Sequence, residues 1–383
     1  MKIMWLNPWF GNYRLPVYES LNNLTGGNFF LMSGTQEMDP QLIENLKTVL
    51  RGNCIINTSY KRIYIGNTKT NFANSCINIP ITRGVIRGIR HFSPDILIVD
   101  GFFQWAPFAL LYSLIFRVPL VIDYERTEYV ERSSPWWRTF YRKIFGKFVS
   151  GFVVNGTLTT NYLKTLCLDR VPIQEGCMAA DTYGLSLKVR DFDSNIKAEF
   201  RSKYILDDGI LFLFVGQMVE RKGVIQMLKA WKSHSQLYPN DRLLIIGIGE
   251  LDYLIKDDVN TIIYEGKVEY SDIYKYYSIA DVFLMPTLED NWSLVVPEAM
   301  ACHLPILTSI YNGCYPELVR NKENGYYFDP LNHDEFVHLL SQMHDEDLTK
   351  MGEESYKIQL DYTPDKSAER IYRLCEKVLC GSK

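Results

Sequence analysis

The sequence contains no paired-cysteine motif, and this absence bears on both metal binding and cellular compartment. Its eight cysteines are scattered without a CxxC spacing, at Cys54, Cys76, Cys167, Cys177, Cys302, Cys314, Cys375 and Cys380. Structural zinc sites need closely spaced ligands, and disulfide frameworks occur mainly in secreted proteins. We therefore expect reduced thiols, a cytoplasmic location and no structural zinc. No other metal motif is visible in the sequence, and we expect neither a bound metal nor a resident cofactor.

The sequence also lacks a long hydrophobic run and an excess of positive charge. Its amino terminus, MKIMWLNPWF, has no extended apolar segment with a cleavage site, so we expect no signal peptide. The most apolar segment, PFALLYSLIFRVPLVI, is interrupted by Arg117 and Pro119 and is too short to cross a membrane. With 41 basic and 45 acidic residues the net charge is −4, so nucleic acid is not an expected partner.

The length and composition that are present predict two α/β domains. A hydrophobic fraction of 47% and a charged fraction of 22% are typical of globular proteins, and 383 residues suffice for two cores. Strand and helix patterns alternate with short connections, which predicts two doubly wound parallel sheets of the Rossmann-like kind. The polar segment 188–195 predicts a linker, so we place the domains at 1–187 and 188–362, followed by an amphipathic helix at 363–383.

One segment, from Asp281 to Pro305, combines a strand, an acidic loop and a helix. The apolar run VFLMP predicts a buried parallel strand, and TLEDN predicts a loop that carries Glu289 and Asp290. SLVVPEAMAC predicts a helix with Ser293 as its N-cap and Glu298 in its first turns. This order places carboxylates and helix amides at the carboxyl edge of a sheet, where open α/β sheets bind ligands.

A nucleotide sugar suits this chemistry. Helix amides near Ser293, Leu294 and Val295 can donate to phosphate oxygens, and carboxylates accept from the vicinal hydroxyls of a hexose and a ribose. The segment alone fits an ordinary solvated loop and a capping carboxylate equally well. A second segment is consistent with a phosphate-containing ligand. A buried strand, Ile210 to Val215, leads through Gly216 to the loop residues Arg221 and Lys222. The positive charge of a lysine is suitable for binding phosphate.

The segment SSPWWRTFYRKIFGKF combines bulky aromatic residues with basic ones. This pattern predicts a helix lying on an anionic membrane surface, although an ordinary helix that buries its aromatic residues against a sheet also fits. The residues that we predict to face the membrane are Trp136, Trp137, Arg138, Phe140, Arg142, Lys143 and Lys147.

Six short motifs in order resemble the retaining GT-B glycosyltransferases of family four: GQMVERKG, GIGE, EGKV, ADVFLMP, EDNWSLVVPEAMA and NGYYFDP. In that family two acids are separated by seven residues. Asp290 and Glu298 have this spacing, while Glu289 is one residue further away, so either Glu289 or Asp290 can be the first acid. The resemblance implies two Rossmann-like domains facing a cleft, with the terminal helix crossing back to the first domain.

The resemblance also implies site residues. The first acid would hold the donor-sugar hydroxyls and Glu298 the ribose, while Lys222 and Arg221 would neutralise the diphosphate. Gln217 stands where the family has arginine, and Glu125, beside Glu128, stands where many members have a histidine near the reacting carbon. We therefore name Glu289, Asp290 and Glu125 as catalytic candidates. The donor-binding candidates are Gly11, Gly216, Gln217, Arg221, Lys222, Lys267, Val268, Asn291, Trp292, Ser293, Leu294, Val295 and Glu298.

The implied activity is transfer of a hexose from a UDP- or GDP-sugar to a hydroxyl of a glycan or lipid-linked acceptor, with retention and without a metal. The expected setting is bacterial surface polysaccharide synthesis, in the cytoplasm or at the inner face of the cell membrane. Two alternatives stay open: a sugar-nucleotide epimerase of the same architecture, and a nucleotide-binding subunit without catalytic activity. The second is motivated by Gln217 and Glu125, which depart from the family pattern.

Overall fold

The computed structural model describes residues 1–34, 38–59, 61–66, 72–74, 76–204, 209–255 and 261–381. The chain divides into two compact units: Met1–Ala179 with Pro364–Lys383, and Ala180–Thr363. The division therefore lies a little before the boundary at 187/188 that the sequence suggested, and the terminal segment groups with the first unit. None of the described helices is both long and apolar enough to cross a membrane.

The first unit alternates strands and helices along the chain. Its elements are β1 (Ile3–Leu6), α1 (Leu15–Leu24), β2 (Phe29–Gly34), α2 (Pro40–Val49), β3 (Cys54–Asn57), β4 (Lys61–Gly66), β5 (Cys76–Ile81), α3 (Val85–Phe92), β6 (Ile96–Asp100), α4 (Ala106–Phe116), β7 (Leu120–Tyr124), α5 (Trp136–Phe145), β8 (Gly151–Val154), α6 (Thr157–Thr165) and β9 (Ile173–Gln174). Seven strands form a parallel sheet in the order β3-β2-β1-β6-β7-β8-β9, and β4 and β5 form a separate antiparallel pair.

The second unit repeats this plan with six strands. Its elements are α7 (Thr182–Arg190), α8 (Ser194–Arg201), β10 (Leu211–Val215), α9 (Val224–Leu237), β11 (Arg242–Ile246), β12 (Ile262–Gly266), α10 (Ile273–Ile279), β13 (Val282–Met285), α11 (Val295–Ala301), β14 (Ile306–Ser309), α12 (Tyr315–Leu318), β15 (Gly325–Phe328), α13 (His333–Gln342) and α14 (Leu348–Gln359). The sheet is parallel, in the order β12-β11-β10-β13-β14-β15.

The segment 188–195, expected to be a linker, instead spans the end of α7 and the start of α8. Its polar composition reflects a helix cap, because the Asp193 side chain accepts hydrogen bonds from the amides of Asn195 and Ile196. The last helix, α15 (Pro364–Gly381), packs against α1 of the first unit. Its apolar residues Ile371, Leu374 and Val378 join the core that contains Trp5 and Tyr18 on one face of the sheet.

The strand order explains where each unit can bind a ligand. In the second unit β10 lies between β11 and β13, so the loops that follow β10 and β13 leave neighbouring strands at the point where the strand order reverses. In the first unit β1 lies between β2 and β6 in the same way. Open α/β sheets bind ligands at such a switch point, at the carboxyl ends of the strands. The loops with the predicted motifs come together there.

Candidate active site

A glycine turn brings the loop after β10 against the loop after β13. Gly223 has a φ of +71° and directly precedes α9, and a Cβ atom on it would lie 1.9 Å from the carbonyl oxygen of Pro286. Only glycine permits both this conformation and this approach. The carbonyl oxygen of Arg221 then accepts hydrogen bonds from the Leu288 amide at 2.8 Å and the Thr287 hydroxyl at 2.9 Å. The two loops are therefore joined through their main chains.

Asp290 occupies the centre of this junction. Its Oδ2 accepts from Lys222 Nζ at 2.5 Å and from Ser293 Oγ at 2.8 Å, and Arg221 Nη1 lies 3.6 Å away. Its Oδ1 accepts from the Trp292 amide at 3.3 Å. Burial alone would raise the pKa of Asp290, but the charges of Lys222 and Arg221 outweigh it and lower the pKa to about 2. Asp290 is therefore an ionised carboxylate that ties the basic turn to the acidic loop.

Glu289, the other candidate for the first acid, is also buried. Its carbonyl oxygen accepts from Arg221 Nη1 at 2.8 Å, so Arg221 contacts both members of the acid pair. The basic turn and both acids thus form one cluster within the second unit. The sequence predicted that Lys222 and Asp290 would share a site, but it did not predict their direct ion pair.

Glu298 lies in the first turn of α11 and is held by two tyrosines. The Tyr270 hydroxyl donates to Oε1 at 3.2 Å and the Tyr277 hydroxyl to Oε2 at 3.1 Å. Burial raises the pKa of Glu298 to about 7, with a smaller contribution from Asp181, although the two hydrogen bonds favour the ionised form. Neither tyrosine was among the predicted site residues, because the position of an aromatic residue in sequence does not reveal where its hydroxyl points.

The start of α11 differs from the predicted one. The helix begins at Val295, and Ser293 does not cap it: the Ser293 hydroxyl donates to Asp290, and its amide donates to Asn312 Oδ1 at 3.2 Å. Pro297 is the third helical residue, where a helix needs no N–H partner, so this proline does not disturb the helix. The amides of Leu294 and Val295 stay the predicted phosphate donors, while the Ser293 amide is engaged within the protein.

The remaining donor-binding candidates of the second unit lie in the loops after β10, β12 and β13 and differ in their exposure. Gly216 and the exposed Gln217 directly follow β10. Lys267 and Val268 follow β12, and Lys267 Nζ lies 3.4 Å from Glu269 at the surface. Trp292 is buried, with its ring centroid 6.0 Å from that of Tyr362, and Asn291 precedes it in the acidic loop.

The first unit holds its own charged cluster at the carboxyl ends of β6 and β7. The buried Arg14 donates through Nη2 to Asp123 Oδ2 at 2.9 Å and to Glu125 Oε1 at 2.5 Å. Burial raises the pKa of Asp123 to about 7, although Arg14 opposes this effect. The sequence predicted Glu125 as a site residue, whereas Arg14 was not among the predicted site residues. Gly11, in the same loop, has extended backbone geometry, and a Cβ atom there would meet the Tyr13 ring.

Two groups in the described part of the chain have potential metal-ligating atoms within 4.8 Å of one another: Asp100, Asp123 and Glu125, and His234, Asp241 and His344. In the first group Arg14 contacts Asp123 and Glu125. In the second, both histidines place Nε2 within 2.8 Å of the same Asp241 oxygen, as hydrogen-bond partners. Protein groups therefore already contact the carboxylates of Asp123, Glu125 and Asp241.

The predicted membrane-facing residues lie on and just after α5, and most are on its outer side. Trp136 is 79% exposed, and Trp137, Phe140, Lys143 and Lys147 are also exposed. Arg138 is partly buried and donates to Asn74 Oδ1 at 2.6 Å. Arg142 does not fit the prediction, because it is buried and pairs with Glu131 at 2.8 Å. A basic residue on an amphipathic helix can thus serve the core as well as the surface.

Comparison with known proteins finds a family match within the second unit. Residues 195–358 match the family described as Glycosyl transferases group 1. An uncharacterized glycosyltransferase of Haemophilus influenzae is 30% identical over 181 residues, which cover 46% of this chain and 49% of the relative. The alpha-monoglucosyldiacylglycerol synthase of Acholeplasma laidlawii is 28% identical over 204 residues, which cover 46% and 50%. The chain thus spans about half the length of these curated relatives.

A solved structure agrees in fold over nearly the whole chain. The structure of Anabaena HepE in complex with UDP matches with a TM-score of 0.74 at 14% identity, covering 98% of this chain and all of that one. At this identity the likeness shows the fold alone: two parallel sheets of seven and six strands in the GT-B arrangement. Residues 195–358, within the second unit, therefore match the group 1 glycosyl transferase family, and the chain as a whole has a fold of two Rossmann-like units.

Proposed function

We propose that the protein transfers a hexose from a UDP- or GDP-sugar to a hydroxyl of a glycan or lipid-linked acceptor, with retention of configuration. The observation that carries this proposal is the cluster of Arg221, Lys222 and Asp290 beside the start of α11, at the switch point of the second sheet. Cations, helix amides and carboxylates are gathered within one unit there. This set suits a ligand with two phosphates and vicinal hydroxyls.

Each part of the donor has a candidate partner. Lys222, Arg221 and the amides of Leu294 and Val295 would neutralise the diphosphate, and Glu298 would accept from the ribose hydroxyls. Glu289 and Asp290 are both candidates for the hydroxyls of the transferred sugar. Lys222 exchanges part of its contact with Asp290 for a phosphate oxygen in this scheme, so the ion pair keeps the lysine positioned before the donor binds.

The chemical step follows from this placement. The bond between the anomeric carbon and the diphosphate oxygen breaks as the acceptor hydroxyl attacks from the same face. The leaving phosphate takes the acceptor proton. Lys222 and the helix amides stabilise the negative charge that develops on the diphosphate, which is the role that a metal ion has in other transferases. Glu125 is a candidate for accepting a hydrogen bond from the acceptor hydroxyl.

The relatives support this assignment by their names. The Acholeplasma relative is named as a synthase of a glucosylated diacylglycerol, and the Anabaena structure contains UDP. We infer a role in bacterial surface glycan or glycolipid synthesis, in the cytoplasm or at the inner face of the membrane. Release of an epimerised donor without acceptor would instead support the epimerase alternative, and nucleotide binding without any turnover would support a binding subunit.

The test of the diphosphate contact is Lys222→Ala, after the donor has been identified by a thermal-shift panel of UDP, GDP and their common sugars. A ligand at a hundred times its dissociation constant adds about 2.7 kcal/mol to the free energy of unfolding, which raises the melting temperature by a few degrees. We then expect Lys222→Ala to weaken binding of that nucleoside diphosphate by about tenfold, because a hydrogen bond to a charged group is lost. Binding of the nucleoside without phosphates should not change. Titration calorimetry measures both affinities.

The matched control is Lys229→Ala, which removes an exposed lysine from α9. It should leave both affinities unchanged. Equal affinity of wild type and Lys222→Ala for the diphosphate would refute the assigned contact, and equal loss for nucleoside and diphosphate would show a general disturbance of the site.

A further inference from the structure

Helix α4 of the first unit has an apolar outer face without a described protein partner. Its sequence, APFALLYSLIF, contains no charged residue, and its inner face already packs in the core through Ala106, Ala109 and Tyr112. The opposite side exposes Leu111, Leu114 and Ile115, the last at 61%. A surface helix of a globular protein normally has a polar outer face, whereas one that is apolar all round is covered by protein or lipid.

This face of α4 continues into the exposed face of α5. A groove of about 350 Å³ runs between the two helices, and its lining comes from Leu110 and Leu114 on one side and Tyr141 and Ile144 on the other. Trp136, Phe140 and Ile144 are exposed along one stripe of α5, at positions four residues apart. We call the exposed surface of Leu111, Leu114, Ile115, Trp136, Phe140 and Ile144 the α4–α5 face. An apolar surface from two adjacent helices is a recognised mark of an interaction site.

The charged residues within α4, α5 and the segments that flank them are all basic. No aspartate or glutamate occurs from Gly101 to Ile122 or from Arg132 to Leu168, so both helices and their flanks lack acidic residues. Exposed basic residues lie at the end of α4 (Arg117), on α5 (Lys143) and directly after it (Lys147). A second copy of this chain would bring like charges together in a two-fold contact, whereas an anionic bilayer offers apolar depth and negative headgroups together.

We propose that the α4–α5 face docks the first unit onto an anionic lipid bilayer, with α4 and α5 inserting side by side. The apolar side chains enter the boundary between headgroups and acyl chains, and Lys143, Lys147 and Arg117 contact lipid phosphates. This inference rests on the proposed function, because docking onto a bilayer would bring the enzyme to a lipid-linked acceptor. It extends the prediction for α5 by assigning half of the surface to α4, whose sequence has no basic–aromatic pattern.

Vesicle flotation of the full chain tests this docking. The vesicles are phosphatidylcholine alone, or phosphatidylcholine with about one third phosphatidylglycerol as the anionic lipid. We expect binding only to the anionic vesicles, reduced by salt. The triple change Leu111→Ser, Leu114→Ser and Ile115→Ser should weaken it by about tenfold or more. Lys143→Glu with Lys147→Glu should weaken it by about thirtyfold or more.

The matched control changes equally exposed apolar residues of the second unit, Leu237→Ser with Leu331→Ser, and should bind like wild type. Circular dichroism and the melting temperature establish that each variant is folded. No binding of the wild type, binding that ignores the anionic lipid, or unchanged binding of the folded α4 variant would each overturn the proposal. Light scattering gives one more outcome. If the wild type forms a dimer but does not bind vesicles, and the α4 variant is a monomer, then the face binds a second copy of the chain and the proposal is overturned.

The nucleotide-induced thermal shift of the same variants separates this proposal from the proposed function. It reports on the second unit, so the α4 and α5 variants should keep it in full. Vesicle binding without any nucleotide shift would leave the docking face intact and refute the donor site. A nucleotide shift without vesicle binding would leave the donor site intact and refute the docking face.

Discussion

We expect Asp290→Ala to lower the free energy of unfolding of the second unit by about 2–4 kcal/mol at neutral pH, somewhat less than the usual cost of removing one partner from a fully buried ion pair, because Lys222 and Asp290 are largely but not completely buried. The change leaves Lys222 and Arg221 close to each other without their shared carboxylate. It also removes the acceptor for the Ser293 hydroxyl and the Trp292 amide. Urea unfolding of wild type and variant, followed at pH 7, measures the difference.

The pH dependence of this loss distinguishes the ion pair from simple packing. The pKa of Asp290 is lowered from 3.8 to about 2 in the folded state, so its ionisation contributes about 2 kcal/mol of stability. This contribution is present above pH 3.8 and is lost as the pH falls through 2. The difference between wild type and variant should therefore shrink in acid.

Asp290→Asn is the matched control, because it keeps the shape and an acceptor oxygen while removing the charge. This variant should lose the pH-dependent part of the free energy of unfolding and keep the hydrogen bond from Ser293 Oγ. If Asp290→Ala is as stable as wild type at pH 7, or if the difference does not depend on pH, then Asp290 does not tie the two loops through its charge.

Glu298→Gln should act in the opposite direction on stability. The pKa of Glu298 is raised from 4.5 to about 7, so the folded protein prefers the protonated acid. The stability from this preference is fully present below pH 4.5 and is lost as the pH rises through 7. Glutamine cannot ionise, so we expect the variant to be more stable than wild type by up to about 3 kcal/mol at pH 8 and equally stable at pH 4.5.

The same change should weaken nucleoside binding. An ionised Glu298 accepts stronger hydrogen bonds from ribose hydroxyls than an amide does, so we expect about tenfold weaker binding of the nucleoside at pH 8. Wild-type affinity should rise with pH through 7, while that of the variant should stay flat. Titration calorimetry across this range measures both.

Glu265→Gln serves as the control, since Glu265 also accepts from a tyrosine hydroxyl, that of Tyr276 at 3.4 Å, in the same unit. It should reproduce neither the gain in stability at pH 8 nor the loss of nucleoside affinity. A flat wild-type pH profile, or unchanged nucleoside affinity of Glu298→Gln, would remove the ribose contact from Glu298. A variant that is more stable and binds less would show that the buried carboxylate is kept for the ligand at a cost to the fold.

Local pattern was sufficient to predict the strands and loops that carry the candidate site in the second unit. The apolar run before the TLEDN loop and the run before Gly216 predicted two buried strands, and parallel strands direct their following loops to one edge. The family resemblance then implied that the turn with Lys222 and the loop with Asp290 share a donor site. The helix start was predicted less well, because Ser293 is a good cap in isolation but has stronger partners in Asp290 and Asn312.

By itself, then, the sequence determined the two α/β sheets and the order of their motifs, because these follow from hydrophobic periodicity and from residues near in the chain. The family resemblance of those motifs indicated the site that Lys222, Asp290 and Glu298 would share. Only the tertiary structure decided which charges pair, that Tyr270 and Tyr277 hold Glu298, that Arg14 is buried between Asp123 and Glu125, and that α4 shares an exposed face with α5. These contacts join residues from separate elements, and their energies depend on burial and on distances of a few ångströms, neither of which a linear pattern contains.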